Sequence, residues 1–167
     1  MKKYLVIAVL LIVPFIFFLQ NSISNPSEFA TYKNAQRPNP IQLAGFALGD
    51  DDPILMVNLL KFKDKAEYED GRVTSLTGRE AYEVYVTETR EHLANVGAEL
   101  ILGGEVSRLF VGEVEELWDA FGVARYPSRK AMIAMARNPA YIESEKHRAA
   151  GLAGQLLIEV SEQGFGF

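Results

Sequence analysis

Ten consecutive residues, Pro53-Ile-Leu-Met-Val-Asn-Leu-Leu-Lys-Phe62, contain only two polar side chains, Asn58 and Lys61. A run of strand length that is apolar on both parities has no face to give to water, so it reads as a central strand covered on both sides. The rest of the chain has to supply that cover. Residues Asp64 to Leu76 are polar and hold the turn signal Asp70-Gly71. Thr77-Gly-Arg-Glu80 has the spacing of a capping box, which starts a helix that continues to Val96 and stops at Gly97. Ala98–Leu102 reads as a second strand, Gly103-Gly104 as a bulge or bend within it, and Val106–Gly112 as its continuation. Leu117–Tyr126 reads as a third strand. Pro127 ends it and Ser128 caps a helix over Arg129–Arg137. Asn138-Pro139 breaks that helix and starts another at Ala140, ending near Gly151 or Gly154. Gln155–Val160 is the last strand.

The order is βαββαβ, the ferredoxin-like α+β plan with helices on one face of an antiparallel sheet. The opposite face is too apolar for solvent. A two-fold homodimer with the sheets face to face is the simple way to close it.

Lys2 and Lys3 precede an apolar run from Tyr4 to Leu19. Its length, roughly 16 residues, is short for the ~20 that a bilayer core takes but suits a signal-peptide core. Residues 1–20 therefore read as a signal peptide or an N-terminal membrane anchor. Ser22-Ile23-Ser24 is a weak cleavage pattern, no cysteine follows for lipid attachment, and Pro14 is tolerated in a membrane. The basic flank places the body outside the cytoplasm, so the expectation is a cell-envelope protein, anchored or secreted into the periplasm. Contact with the membrane is expected through the leader alone. Residues 21–52 carry Pro26, Pro38, Pro40 and Asp50-Asp51-Asp52 and read as a linker, with a docked segment around Ile41–Leu48. The folded domain spans 53–162, and 163–167 form a tail.

A net charge of −5, from 17 basic and 22 acidic residues, argues against nucleic acid as a partner. The absence of cysteine excludes disulfides, thiolate catalysis and iron–sulfur centres. Two histidines, far apart and in no HExxH or HxxxH spacing, support no metal site, and no cofactor is expected. No G-x-S-x-G nucleophile elbow is present.

Gly103-Gly104, Gly112-Glu113, Arg125-Tyr-Pro-Ser-Arg129, Asn138-Pro-Ala-Tyr141 and His147-Arg148 together resemble the DUF1330 family over roughly residues 53–162. That family belongs to the dimeric α+β barrel group, alongside small monooxygenases, muconolactone isomerases and polyketide cyclases. The resemblance implies the fold and the dimer. It implies no activity, because the family is itself defined by unknown function. The leader, the linker and the insertion-like stretch Asp64–Leu76 depart from its pattern.

On a helical wheel Tyr85, Thr89, His92 and Val96 share one stripe, flanked by Ala81, Tyr82 and Leu93. The stripe is expected to face the sheet. Its polar members are either packed with their tips satisfied, or they wall a pocket in which His92 and Tyr85 are catalytic proton carriers and Tyr82 and Thr89 bind substrate. Asn58 and Lys61 have opposite parity, so one faces the pocket and the other the dimer. Arg125 shares its parity with Phe121 and Val123. An arginine among apolar neighbours needs either a carboxylate partner or an acidic group of a ligand. Tyr126 is expected to pack with Trp118, His147 to be solvated, and Arg148 to anchor its helix or an anion. Two functions follow. One is a domain that binds a small hydrophobic, mildly acidic molecule through Asn58, Lys61, Tyr82, Thr89 and Arg125. The alternative is a cofactor-independent enzyme of isomerase, cyclase or monooxygenase type using His92 and Tyr85, with Arg125 or Asn58 holding developing negative charge.

Overall fold

The computed structural model describes residues 35–161. The expected leader, the first part of the linker and the tail lie outside the described residues. Among the described residues no helix is long and apolar enough to cross a membrane.

The elements are α1 (Pro40–Ala47), β1 (Ile54–Phe62), α2 (Gly78–Asn95), β2 (Glu99–Glu105), β3 (Ala120–Tyr126), α3 (Arg129–Ala136), α4 (Pro139–Gly151) and β4 (Leu152–Ser161). The strands order as β2-β3-β1-β4, every neighbouring pair antiparallel. The expected ferredoxin-like plan is therefore present. Both crossovers are of the split βαβ kind, and their common handedness puts α2 and α4 on one face.

Local chemistry explains most element ends. Thr77 accepts from the Glu80 amide at 3.2 Å, and the Glu80 carboxylate accepts from the Thr77 amide at 2.7 Å. Gly97, at φ +71°, takes the left-handed turn after α2. Ser128 accepts from the Ala131 amide and Asn138 from the Ala140 amide, which separates α3 from α4. The docked segment of the linker is a helix, α1. Asn39 and Gln42 form its own capping box, and Phe46 packs against the core cluster that Met132 of α3 also borders.

Two expectations for the middle of the chain fail. Val106–Gly112 is not strand: β2 stops at Glu105, and residues 107–116 are exposed. β3 explains this, because it starts only at Ala120, and the ladder ends where the Val106 amide donates to Asp119 O at 3.0 Å. Asp119 also closes β1. Its amide donates to Leu60 O at 2.8 Å and its carboxylate accepts from the Phe62 amide at 2.8 Å. The register shift in β2 lies between Leu100 and Leu102, not at Gly103-Gly104. Those glycines pair regularly, and a Cβ on Gly103 would meet Phe121 O at 3.3 Å.

Register assigns the two faces. Ile54, Met56 and Leu60 point to the helices, with Ala120, Ala124 and Tyr126 beside them on β3, all buried. Leu93 and Met135 close this layer from the helix side. The other parity carries Leu55, Val57, Leu59, Phe121, Val123, Leu156, Ile158 and Val160 to a face that no described element covers. Where α2 begins and α4 ends, Gly78 and Gly151 bring backbone against backbone. A Cβ on Gly151 would stand 2.3 Å from Gly78 O. The stretch Asp64–Leu76 is a packed loop: Ala66 and Tyr68 are buried against Ala81 and Ala150.

Candidate functional site

Helices α2 and α4 pass in opposite senses, Ala81 meeting Ala150 at one end and His92 meeting Ser144 and Tyr141 at the other. The stripe Tyr85–Thr89–His92 therefore faces α4, not the sheet as expected. The physical reason lies in the layer. Each helix has both the sheet and a sister helix to pack on, and the flanking Tyr82 and Leu93 take the sheet contacts.

The seam between the helices is polar and aromatic. The Tyr85 and Tyr141 hydroxyls lie 2.9 Å apart. The Tyr85 ring lies 5.4 Å from Tyr82, which in turn lies 5.5 Å from Phe62 of β1. His92 meets the Tyr141 ring edge-on at 5.9 Å, and its Nε2 is 3.4 Å from the hydroxyl of buried Ser144. Two atoms of the stripe, Thr89 Oγ1 and His92 Nδ1, are buried without a hydrogen-bond partner among the described residues.

Among the described residues, Arg148 of α4 is the buried cation on this side of the sheet. Its Nη1 donates to Gln155 Oε1 at 2.5 Å and to the Gln36 carbonyl at 3.0 Å, its Nη2 pairs with Glu145, and its Nε has no partner among the described residues. Gln155 passes the chain on to Asn58, donating to Oδ1 at 2.6 Å, and Asn58 donates weakly to Gly122 O at 3.4 Å. Burial pushes the phenols of Tyr82, Tyr126 and Tyr141 well above the ordinary tyrosine value, and Tyr85 adds to the shift in each. Burial works against the charge of Arg148. Tyr85 and the Glu145 carboxylate outweigh it, so the guanidinium stays protonated. The cluster thus offers hydroxyl and N–H donors around flat apolar rings, the composition of a small-molecule site.

Tyr82, Tyr85, Thr89, His92 and Asn58 are brought together on this side. Lys61 and Arg125 are not. Lys61 points to the open side, where Glu116 at 3.0 Å and Asp119 at 3.2 Å hold its ammonium and raise its pKa. There it lines an open groove of about 380 Å³ with Trp118 and Leu156. Arg125 also stands on the open side, its guanidinium 2.8 Å from Glu99, so its carboxylate partner comes from within the chain. Trp118 and Tyr126 do not pair: one lines that groove and the other is buried under the helices. Nor is His147 solvated. Its Nδ1 lies 2.6 Å from the Tyr68 hydroxyl and its Nε2 3.9 Å from Glu88, because the packed Asp64–Leu76 loop covers it.

The structure adds Tyr141, Ser144, Gln155 and Gln36 to the cluster. Tyr141, Ser144 and Arg148 are spaced i, i+3, i+7, a stripe that was readable on α4. Gln155 and Gln36 left no such signal, because β4 register and the path of the linker place them. Among the described residues no group of histidine and carboxylate side chains could hold a metal ion.

No family model matches the chain, and no curated protein matches it. It is similar to the crystal structure of the RPA0582 protein of Rhodopseudomonas palustris, described as a protein of unknown function. Identity is 31%, the TM-score is 0.69, and the match covers 77% of this chain and 96% of that one. A structure of methylated RPA0582 matches at 32% identity with a TM-score of 0.73, covering 81% of this chain and all (100%) of the other.

Proposed function

The chain belongs to the family of the Rhodopseudomonas palustris RPA0582 protein, and we propose that it is a DUF1330-type binding domain that holds a small, largely apolar organic molecule between α2 and α4. One observation carries the reading. Thr89 Oγ1, His92 Nδ1 and Arg148 Nε are all buried and lack partners among the described residues. A buried polar atom left unpaired costs about 1–3 kcal/mol. Three of them around the aromatic rings of Tyr82, Tyr85 and Tyr141 are what a site retains for a ligand.

The domain works as a homodimer through its open sheet face, which supports that pairing with eight large apolar side chains on one surface. Lys2, Lys3 and the apolar run after them support display in the cell envelope, outside the cytoplasm. A second reading, proton transfer by His92 and Tyr85, is favoured by the free ring nitrogen of His92 alone.

Native mass spectrometry of the purified full-length chain tests the proposal. The expected result is the mass of two chains carrying a small molecule that is lost on denaturation. A bare species from wild type, matching that from Thr89→Val, would remove the binding reading, and a clean monomer would remove the dimer.

A further inference from the structure

Gln36 precedes every strand of the fold, yet it and its neighbour are fastened to the wall of the helix-side cluster. The Gln36 carbonyl accepts from Arg148 Nη1 at 3.0 Å, its side-chain amide donates to Leu152 O, and the Ala35 carbonyl accepts from the Gln155 amide at 3.2 Å. Downstream, α1 hooks this strap onto α3, with the Arg129 guanidinium 5.9 Å from the centre of the Phe46 ring. The two hydrogens of one buried guanidinium nitrogen are therefore shared between the site's own Gln155 and a carbonyl delivered by a strap. A strap held by a few polar bonds at an edge strand opens more readily than the core beneath it.

Charge then selects the chemistry that can replace that carbonyl. Glu145 already pairs with Arg148, and both are largely withdrawn from water. An ionised carboxylate would add a second negative charge to a compensated pair, which desolvation penalises. A neutral carbonyl oxygen replaces the Gln36 oxygen like for like. The rings of Phe62, Tyr82, Tyr85 and Tyr141, with centroids 5.4 to 6.2 Å apart in sequence along the seam, suit a flat apolar body behind it.

We infer that the Gln36 carbonyl occupies the oxygen subsite of the helix-side site. The ligand is a neutral aromatic carbonyl compound whose C=O takes the Arg148 Nη1 donor as the strap lets go. The inference rests on the helix-side reading above and names the polar head of its ligand and the internal competitor.

Benzamide and benzoate, alike in shape and different in charge, test it on the full-length chain. Gln36→Ala removes the anchor to Leu152 and loosens the strap. Benzamide should then bind roughly fivefold more tightly, the worth of one hydrogen bond, while benzoate binds neither form. Because the chain has no cysteine, Ala35→Cys provides a single thiol on the strap. Its reactivity should rise as benzamide saturates the protein. Benzamide binding that is equal or weaker in Gln36→Ala, with no change in thiol reactivity, overturns the competition and leaves the helix-side site standing. Benzoate binding ahead of benzamide overturns the neutral-carbonyl assignment. Benzamide that binds neither form overturns the site as well.

Discussion

Met56 and Val57 are adjacent in β1, equally apolar, and face opposite surroundings. Met56 is 4% exposed beneath the helices, whereas Val57 looks onto a surface whose Leu156, Ile158 and Val160 are each about 40% exposed. The two faces of the sheet also distribute polarity in opposite ways. On the helix side polar groups are buried at the centre: Arg148, Gln155 and Asn58 form one hydrogen-bonded chain, and Thr89 and His92 sit beside it. On the open side charges stand at the margins, Lys61 with Asp119 and Glu116 at one, Arg125 with Glu99 at another, around an apolar centre. An apolar centre with a charged rim is the anatomy of an association surface. A polar centre inside an apolar shell is the anatomy of a ligand site. On the reading proposed above, one sheet divides its two faces between assembly and recognition.

The largest effect expected from that division comes from placing the same charge on each face. Met56→Glu should abolish folding, because an unpaired carboxylate in the core costs several kcal/mol. Val57→Glu should leave a folded chain and weaken dimerisation by roughly a thousandfold or more. Circular dichroism and sedimentation velocity read the two results, and a Val57→Glu chain that stays dimeric at micromolar concentration would break the assignment of the open face. Next in size is Gly151→Ala, whose new methyl collides with the Gly78 backbone. It should cost roughly 3 kcal/mol in urea unfolding, near the upper end of ordinary overpacking.

Alkali separates the faces by titration. The raised phenols of Tyr82, Tyr126 and Tyr141 are all on the helix side. A phenol whose folded pKa lies above its unfolded one stabilises fully below about pH 10, and that stability is lost as the pH rises further. Spectroscopic titration should show these three ionising together with unfolding, not one by one in the folded chain. The smallest effect is expected at Thr89→Val. Removing an orphaned hydroxyl should leave the unliganded chain as stable or more stable by about 1 kcal/mol, while any co-purified molecule is lost. A destabilised Thr89→Val chain would mean that the hydroxyl is satisfied within the fold.

Much of this architecture could be read before folding. Thr77 with Glu80, Ser128, and Asn138-Pro139 each satisfy backbone donors within three residues, so they mark helix starts wherever they occur. The unbroken apolar run Pro53–Phe62 established β1, and the capping box with the stop at Gly97 bounded α2. The site was legible in part: Tyr82, Tyr85, Thr89, His92 and Asn58 are all on the helix side. Their neighbours were not, because a helical wheel gives relative angles and cannot say whether a stripe meets a sheet or another helix. Val106–Gly112 was misread for a related reason. Its apolar Val106, Leu109, Phe110 and Val111 follow directly on β2 and read as its continuation, but a strand exists only where a partner offers hydrogen bonds, and β3 starts only at Ala120.

What this sequence determined by itself is therefore whatever depends on residues a few positions apart: caps, helix lengths, the doubly apolar central strand, and hence the order βαββαβ. Tertiary structure alone decided which parity of β1 turned inward, that Lys61 and Arg125 went to the open side, and that Gln155 and Gln36 met Arg148. Gln36 and Arg148 are 112 residues apart. No local pattern encodes such a pair, because contacts at that range are set by strand register and crossover handedness, which every residue of the fold fixes together.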